Sequence, residues 1–298
     1  MSARSSPRSG GAGGYRALAR RALAEDRALK DRTSHSLVGP HERAEARVVA
    51  QASGTVSGLA AAVAVARVRG LRATPMVADG ARVRAGTAVL RLRGRARAVF
   101  ATERTILNLL MHASGVATAT ARAVEATRGS HPRLEVWATR KTLPGLRDLE
   151  KAAVVHGGGR PHRRDLASGL LVKSNHLRFV PLEVAVERAR ARARRNEWVE
   201  VEVRTPSEAV RAARAGADAL LVDNASPAAA RRVVEALARV GLRKGRWVEL
   251  SGGMTPERIP RYRRVGADAV SLGALTHSAV ALPFHLELRP VRLSRRAP

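Results

Sequence analysis

Apolar residues along the chain fall into two textures. Residues 15–30 carry Leu18, Ala22, Leu23 and Leu29 among Arg and Ala, a spacing that predicts an amphipathic first helix. Between Ala44 and Phe100, short apolar runs at 46–50 and 63–68 alternate with turns. Asp79-Gly80, Gly86 and Gly94 punctuate Val83 and the run 89–92. Short runs between tight turns predict a small β-rich domain. Residues 102–124 then read as a helix, with Ile106, Leu109 and Leu110 on one face.

Beyond that helix the chain alternates strand and helix. Strands are predicted at 134–137, 170–173, 199–203, 219–222, 248–250 and 269–272, with helices at 182–195, 207–215, 227–240 and 256–265. Such alternation predicts a parallel sheet. A short repeat supports it: residues 215–219 and 265–269 both read Ala/Val-Gly-Ala-Asp-Ala and join a helix end to a strand. Glycine suits the left-handed residue that closes a helix. Repeated units of this length favour an α/β (TIM-like) barrel; an open parallel sheet is the plainer alternative. No G-x-G-x-x-G follows a strand, which speaks against a dinucleotide fold. The expected division is a flexible tail over 1–14, an N-terminal α+β domain over 15–101, and the barrel with the active site over 102–278. The stretch 279–298 is expected to pack back on the N-terminal domain.

Composition sharpens this picture in three ways. The chain has 298 residues, 45% hydrophobic but only 3% aromatic, so Ala, Val and Leu must build its core. It has no cysteine, which excludes disulfides, thiolate metal sites and a Cys nucleophile. No window approaches the about 18 apolar residues of a membrane span, and a cytoplasmic protein is expected. The formal charge is +29, yet only Lys30, Lys141, Lys151, Lys173 and Lys244 are lysines. The rest of the basic residues are Arg spread over the whole chain, which weakens the charge as a sign of nucleic-acid binding.

Polar residues cluster just past the predicted strand ends, the active face of an α/β barrel. Thr139-Arg140-Lys141-Thr142 follow the first strand; the Arg–Lys pair suits a carboxylate or phosphate, or is a solvated basic turn. Three glycines, Gly157 to Gly159, precede His162 and Arg163 and suit a sharp turn or a close approach to a ligand. Lys173, Asn175 and His176 end the next strand. In the run 199–203, Glu200 and Glu202 share one face, and Asp223-Asn224 end the following strand. Carboxylates at neighbouring strand ends could hold Mg²⁺ through water, or pair with the basic groups. Ser251-Gly252-Gly253 and Gly273 to Ser278 offer backbone N–H groups where late barrel strands bind phosphate. The sum predicts a substrate with several carboxylates or phosphates.

In this order, these segments resemble the quinolinate phosphoribosyltransferase family. The matching residues are Glu103-Arg104-Thr105-Ile106-Leu107-Asn108, the run from Thr139 to Arg147, Gly157 to Gly159 with His162-Arg163, Lys173 with Asn175-His176, Glu200-Val201-Glu202, Asp223-Asn224, Ser251 to Gly253, and Gly273 to Ser278. The resemblance runs from about Ala24 to the end. It implies a sandwich-like N-terminal domain and a barrel that joins quinolinate to phosphoribosyl pyrophosphate. The products would be nicotinate mononucleotide, pyrophosphate and CO₂, with Mg²⁺ as cofactor, in NAD biosynthesis. By the same resemblance Arg140, His162 and Arg163 bind the quinolinate carboxylates, with Thr139, Lys141 and Lys173 beside them. Lys141, Lys173, Glu202 and Asp223 are the catalytic set, and Glu202 and Asp223 serve metal and ribose. Ser251, Gly252, Gly253 and Gly273 would cradle the 5′-phosphate. Arg104 would reach a neighbouring subunit's site, implying a homodimer or hexamer.

The sequence departs from the family where Ala138, Pro161 and Ser174 stand in place of Asp, Asn and Asp; Ser174 removes an acid beside Lys173. Two other readings differ in substrate class. One is the paralogous group linked to molybdenum transport operons, which shares the barrel and the Pro161-His162-Arg163 pattern. The other is a basic nucleic-acid-binding protein, for which no aromatic stacking platform is present.

Overall fold

The computed structural model describes residues 14–291. Apart from Gly14, the tail expected over 1–14 lies outside the described residues. Along the chain, α1 (Gly14–Glu25) and α2 (Arg32–Leu37) precede β1 (Arg43–Ala50) and β2 (Gly54–Thr55). Next come α3 (Leu59–Val68), β3 (Arg72–Pro75), β4 (Arg82–Val83), β5 (Ala88–Arg95) and the long α4 (Ala96–Ala126). Then follow β6 (Glu135–Trp137), α5 (Arg147–His156), β7 (Leu170–Val172), α6 (Leu182–Arg192), β8 (Val199–Val203) and α7 (Pro206–Arg214). The last elements are β9 (Ala219–Asp223), α8 (Pro227–Arg239), β10 (Trp247–Ser251), β11 (Ala269–Ser271), α9 (Ala274–His277) and β12 (Phe284–Val291).

Two compact units result. The first takes in the chain up to Ala119, Pro144–Gly157 and the segment from Ala279; the second takes in Thr120–Leu143 and Gly158–Ser278. The division falls inside α4 and not at residues 101–102. The reason is that α4 is bonded to the residues around β2. Ser57 N–H donates to Ser114 Oγ at 3.0 Å, and Thr55 N–H to Thr118 Oγ1 at 2.9 Å.

In the first unit, strands run in the order β12-β1-β5-β3, all antiparallel. Along β1, Ala44, Ala46 and Val48 are buried while Arg43 and Arg47 face water, the period-two alternation of a one-sided sheet. Strand β12 pairs with all of β1, so Phe284–Val291 forms an edge strand of this unit. The run 63–68, expected as a strand, is helix α3. Half of α3 is alanine, the best helix former, and Leu59, Ala62, Val65 and Ala66 bury one helical face.

In the second unit six parallel strands follow the order β6-β11-β10-β9-β8-β7. The first strand of the series is therefore hydrogen-bonded to the last, the connectivity of a barrel and not of an open sheet. Arg160 adds a short further stave beside β6. Its N–H donates to Val136 O and its carbonyl accepts from Ala138 N–H, both at 2.8 Å. Val199, Val201 and Val203 of β8 are fully buried, as expected of a sheet covered on both faces.

The repeated Asp has a definite task. Asp218 and Asp268 accept amides near the strand starts, from Val199 and Val248 at 2.9 and 2.7 Å, and each pairs with an Arg, Arg190 and Arg243. Helix starts are equally local. Thr205 and Glu208 form a reciprocal cap ahead of Pro206, and Ser226 caps α8 ahead of Pro227. The expected helix over 256–265 is only a 3₁₀ turn, Ile259–Tyr262, because Pro260 lacks the N–H an α-helix needs there. All three tryptophans pack as a chain, Trp137 against Trp247 at 5.6 Å and Trp247 against Trp198 at 5.9 Å. No helix among the described residues is long and apolar enough to cross a membrane.

Candidate active site

Parallel strands deliver their C-terminal ends to one rim of the barrel. Just past β6, Thr139 and Arg140 are half-buried and Lys141 is exposed. Thr139 Oγ1 accepts the Lys141 N–H at 3.0 Å, which fixes the turn. Thr276, buried in α9, donates to the Lys141 carbonyl at 2.7 Å. A Cβ on Gly273 would stand 2.8 Å from Lys141 Cδ, so the first and last loops of the rim touch.

The stave at Arg160 leads directly into His162 and Arg163. The glycine run before it supplies a turn, with Gly158 at φ 90°. His162 is itself left-handed at φ 54°, which is uncommon for a residue with a side chain. Its Nδ1 accepts the Arg163 N–H at 2.6 Å, so the ring proton sits on Nε2. That nitrogen lies 3.5 Å from both Glu200 Oε2 and Glu249 Oε2, with the Trp137 ring edge-on at 5.3 Å. Burial lowers the Arg163 guanidinium from its ordinary pKa and the Arg140 charge lowers it further, while Glu200 opposes both. Arg140 Nε is buried without a hydrogen-bond partner. Two guanidiniums are thus held together with donors to spare.

Strand β7 stops at Val172, one residue short of the expected strand, so Lys173 sits past its end and is exposed. No burial cost arises. His176 turns back to its own loop, where Nδ1 accepts the Lys173 N–H at 2.9 Å. Glu200 and Glu202 alternate with the buried valines of β8, Glu200 buried and Glu202 half-buried. Burial first, and the Glu249 charge second, push the Glu200 carboxyl up to about 8; His162, Arg163 and Lys173 pull the other way. Asp223, half-buried at the end of β9, accepts from Asn224 Nδ2 at 2.9 Å and faces Arg204 at 3.8 Å.

The glycine turn Ser251-Gly252-Gly253 closes the rim. Gly252 and Gly253 have φ of 87° and 55°. Ser251 accepts the Asn224 N–H at 3.0 Å through its carbonyl, and Ser271 Oγ donates to Ser251 Oγ at 2.9 Å. Arg104 belongs to the other unit, exposed on α4.

Sequence reasoning missed Glu249. It is 1% exposed, and neither carboxylate oxygen has a hydrogen bond. The available signal was an acid between Val248 and Leu250, the same apolar frame that exposed Glu200. Among the described residues, His162, Glu200 and Glu249 form the one group of three whose ligand atoms all lie within 4.8 Å. Because Nδ1 already accepts a backbone N–H, Nε2 carries the proton and is a donor, not a metal ligand.

Two family models cover almost all of the chain. The N-terminal domain of quinolinate phosphoribosyl transferase matches residues 31–114, and the C-terminal domain matches residues 116–287. The chain belongs to the quinolinate phosphoribosyltransferase family. Among relatives of this transferase, a probable nicotinate-nucleotide pyrophosphorylase [carboxylating] of Methanothermobacter thermautotrophicus is 38% identical over 92% of this chain and 99% of its own. The human nicotinate-nucleotide pyrophosphorylase [carboxylating] is 40% identical over 67% of each chain. The crystal structure of NadC from Streptococcus pyogenes superposes with a TM-score of 0.84, at 34% identity, over 92% of this chain and 96% of that one. The rim described above lies at the C-terminal ends of the strands, the end at which α/β-barrel enzymes in general carry their active sites.

Proposed function

We propose that this chain transfers the phosphoribosyl group of phosphoribosyl pyrophosphate to quinolinate and removes one carboxylate as CO₂. The observation that carries this reading is the Arg140–Arg163 pair. Two guanidiniums placed close enough that the Arg140 charge disfavours that of Arg163, with Arg140 Nε buried and unsatisfied, suit a ligand with adjacent carboxylates. Lys141 and Lys173 flank them as point charges, with Thr139 shaping the turn and His162 behind Arg163.

The pyridine nitrogen attacks C1 of the ribose as the bond from C1 to the pyrophosphate oxygen breaks. The neighbouring ring carbon then loses CO₂. The electron pair of the broken C–C bond stays on that carbon until a proton replaces the carboxylate. Lys141, Lys173 and the two arginines stabilise this negative charge and the departing pyrophosphate. Holding two anions side by side against their repulsion is a large part of the task. Ser251, Gly252, Gly253 and Gly273 would cradle the 5′-phosphate with backbone N–H groups.

Glu202 and Asp223 suit Mg²⁺. They are hard oxygen donors, half-buried at the ends of adjacent strands. Bound there, the ion would neutralise pyrophosphate charge. Arg104, exposed on α4, would serve a second copy of the chain in a homodimer or hexamer. The reading also carries the expectation of a cytoplasmic enzyme.

One assay tests the reaction. Purified protein with quinolinate, phosphoribosyl pyrophosphate and Mg²⁺ is expected to release CO₂ and form nicotinate mononucleotide. No turnover, or equal turnover of nicotinate, would sink it. For the shared site, Arg104→Ala and Lys141→Ala are each expected to be inactive, and mixing them to restore part of the activity. Mixed oligomers without any recovery would overturn the shared site.

A further inference from the structure

The buried acids beneath Arg163 have no assigned task. Glu249 is buried almost completely in β10, and both of its oxygens lack hydrogen bonds. A carboxylate without partners is costly in such a place, and here it lies under a pocket meant for anions. The Nε2 of His162 lies 3.5 Å from Glu249 Oε2, the same distance that separates it from Glu200 Oε2. The other ring nitrogen holds the Arg163 amide, and the His162 backbone is left-handed. The imidazole therefore bridges the barrel floor to the backbone of an anion-binding arginine.

We propose that Glu249 is a positioning residue for the transfer reaction: its carboxylate, 3.5 Å from Nε2, holds the His162 ring in place, and His162 in turn positions the backbone of Arg163. This inference rests on the reaction proposed above. Three observations favour a device over inert packing. Among the described residues neither oxygen of Glu249 has a hydrogen bond, and the basic group beside it is His162, at 3.5 Å. The left-handed backbone at His162 needs something to hold it, and a ring bonded at Nδ1, facing two carboxylates at Nε2 and walled by Trp137 does so. Glu200 Oε2 lies at the same 3.5 Å from Nε2, so a flip of the ring would carry that nitrogen away from both carboxyl groups.

The test combines kinetics with a spectroscopic readout. Glu249→Gln keeps the shape and removes the acceptor charge. It is expected to lower kcat/KM for quinolinate about tenfold or more, leave KM for phosphoribosyl pyrophosphate within about twofold, and melt close to the parent. In a His162→Asn background the same change is expected to add less than about twofold, because both act through one route. Ring ¹⁵N shifts of His162 should report the Nε2–H tautomer in the parent, and the Nε2 shift should move in Glu249→Gln as the nearby carboxylate charge is removed. Glu249→Asp, which keeps the charge at longer reach, should recover part of both signals and serves if Glu249→Gln does not fold. Unchanged kinetics, additive losses in the double variant, or an unmoved ¹⁵N spectrum would each overturn the proposal. The ¹⁵N arm needs no turnover, so a parent inactive on quinolinate would sink the reaction while this arm still decides the role of Glu249.

Discussion

Asn224 leaves no room for a side chain on Gly252: a Cβ there would stand 2.3 Å from Asn224 Oδ1 and 2.6 Å from its backbone nitrogen. The constraint is double, because Gly252 also has φ of 87°, where L-residues are strained. Gly252→Ala must therefore move backbone in the turn proposed to hold the 5′-phosphate. The strain alone is about 1–3 kcal/mol. We expect KM for phosphoribosyl pyrophosphate to rise at least about tenfold with a smaller effect on quinolinate. Steady-state kinetics with each substrate varied checks this, and equal effects on both would count against the assignment.

Thr276 ties the last loop of the rim to the first. Its buried hydroxyl serves Lys141 O at 2.7 Å and Gly273 O at 3.1 Å. Thr276→Val keeps the shape and leaves the Lys141 carbonyl without this donor, a cost of about 1–3 kcal/mol. Thr276→Ser should retain most of the stability. Denaturant melts of the two variants separate the hydroxyl from the methyl, and a Val variant as stable as the parent would refute the tie.

Glu200 makes stability depend on pH. Its carboxyl titrates near 4.5 when unfolded and about 8 when folded, chiefly through burial and next through Glu249. Between those values the folded chain holds a proton that the unfolded chain has lost. The contribution is therefore complete below the unfolded value and is lost as pH rises through the folded one. Glu200→Gln removes this titration. The parent is expected to lose stability relative to the variant on going from about pH 5 to about pH 8. Denaturation at both values, with Glu200→Gln alongside, isolates the effect; parallel curves would contradict it.

Gly115 is a packing glycine in the middle of α4. A Cβ there would lie 2.3 Å from the Val280 carbonyl oxygen and 3.0 Å from Ala281 Cα, both backbone atoms. In an ordinary helix, Gly→Ala stabilises by about 1 kcal/mol. Here we expect the opposite sign, a lowered Tm, because the stretch before β12 must move. Thermal melts of Gly115→Ala decide between the two, and a raised Tm would show that the contact yields.

Much of the second unit was legible because parallel strands advertise themselves. Strand β8 was placed residue for residue, since Val199, Val201 and Val203 alternate with acids. Helix starts carried their caps in Thr205 and Ser226. Errors came where local preference and pattern disagreed. Residues 63–68 look β-branched, yet the alanines around them made α3. Pro260 turned an expected helix into a short 3₁₀ turn.

The basic rim was read from strand ends, as an opening cluster over 139–176 with a phosphate half later in the chain. The structure adds a floor to it. Sequence by itself determined which residue types stand at each strand end, because that depends on local periodicity and turn chemistry. It could not say that His162, Glu200 and Glu249 converge, or that Gly252 sits against Asn224. Those neighbours lie on different staves, and only barrel closure, with the register each parallel pair adopts, brings them within a few ångströms.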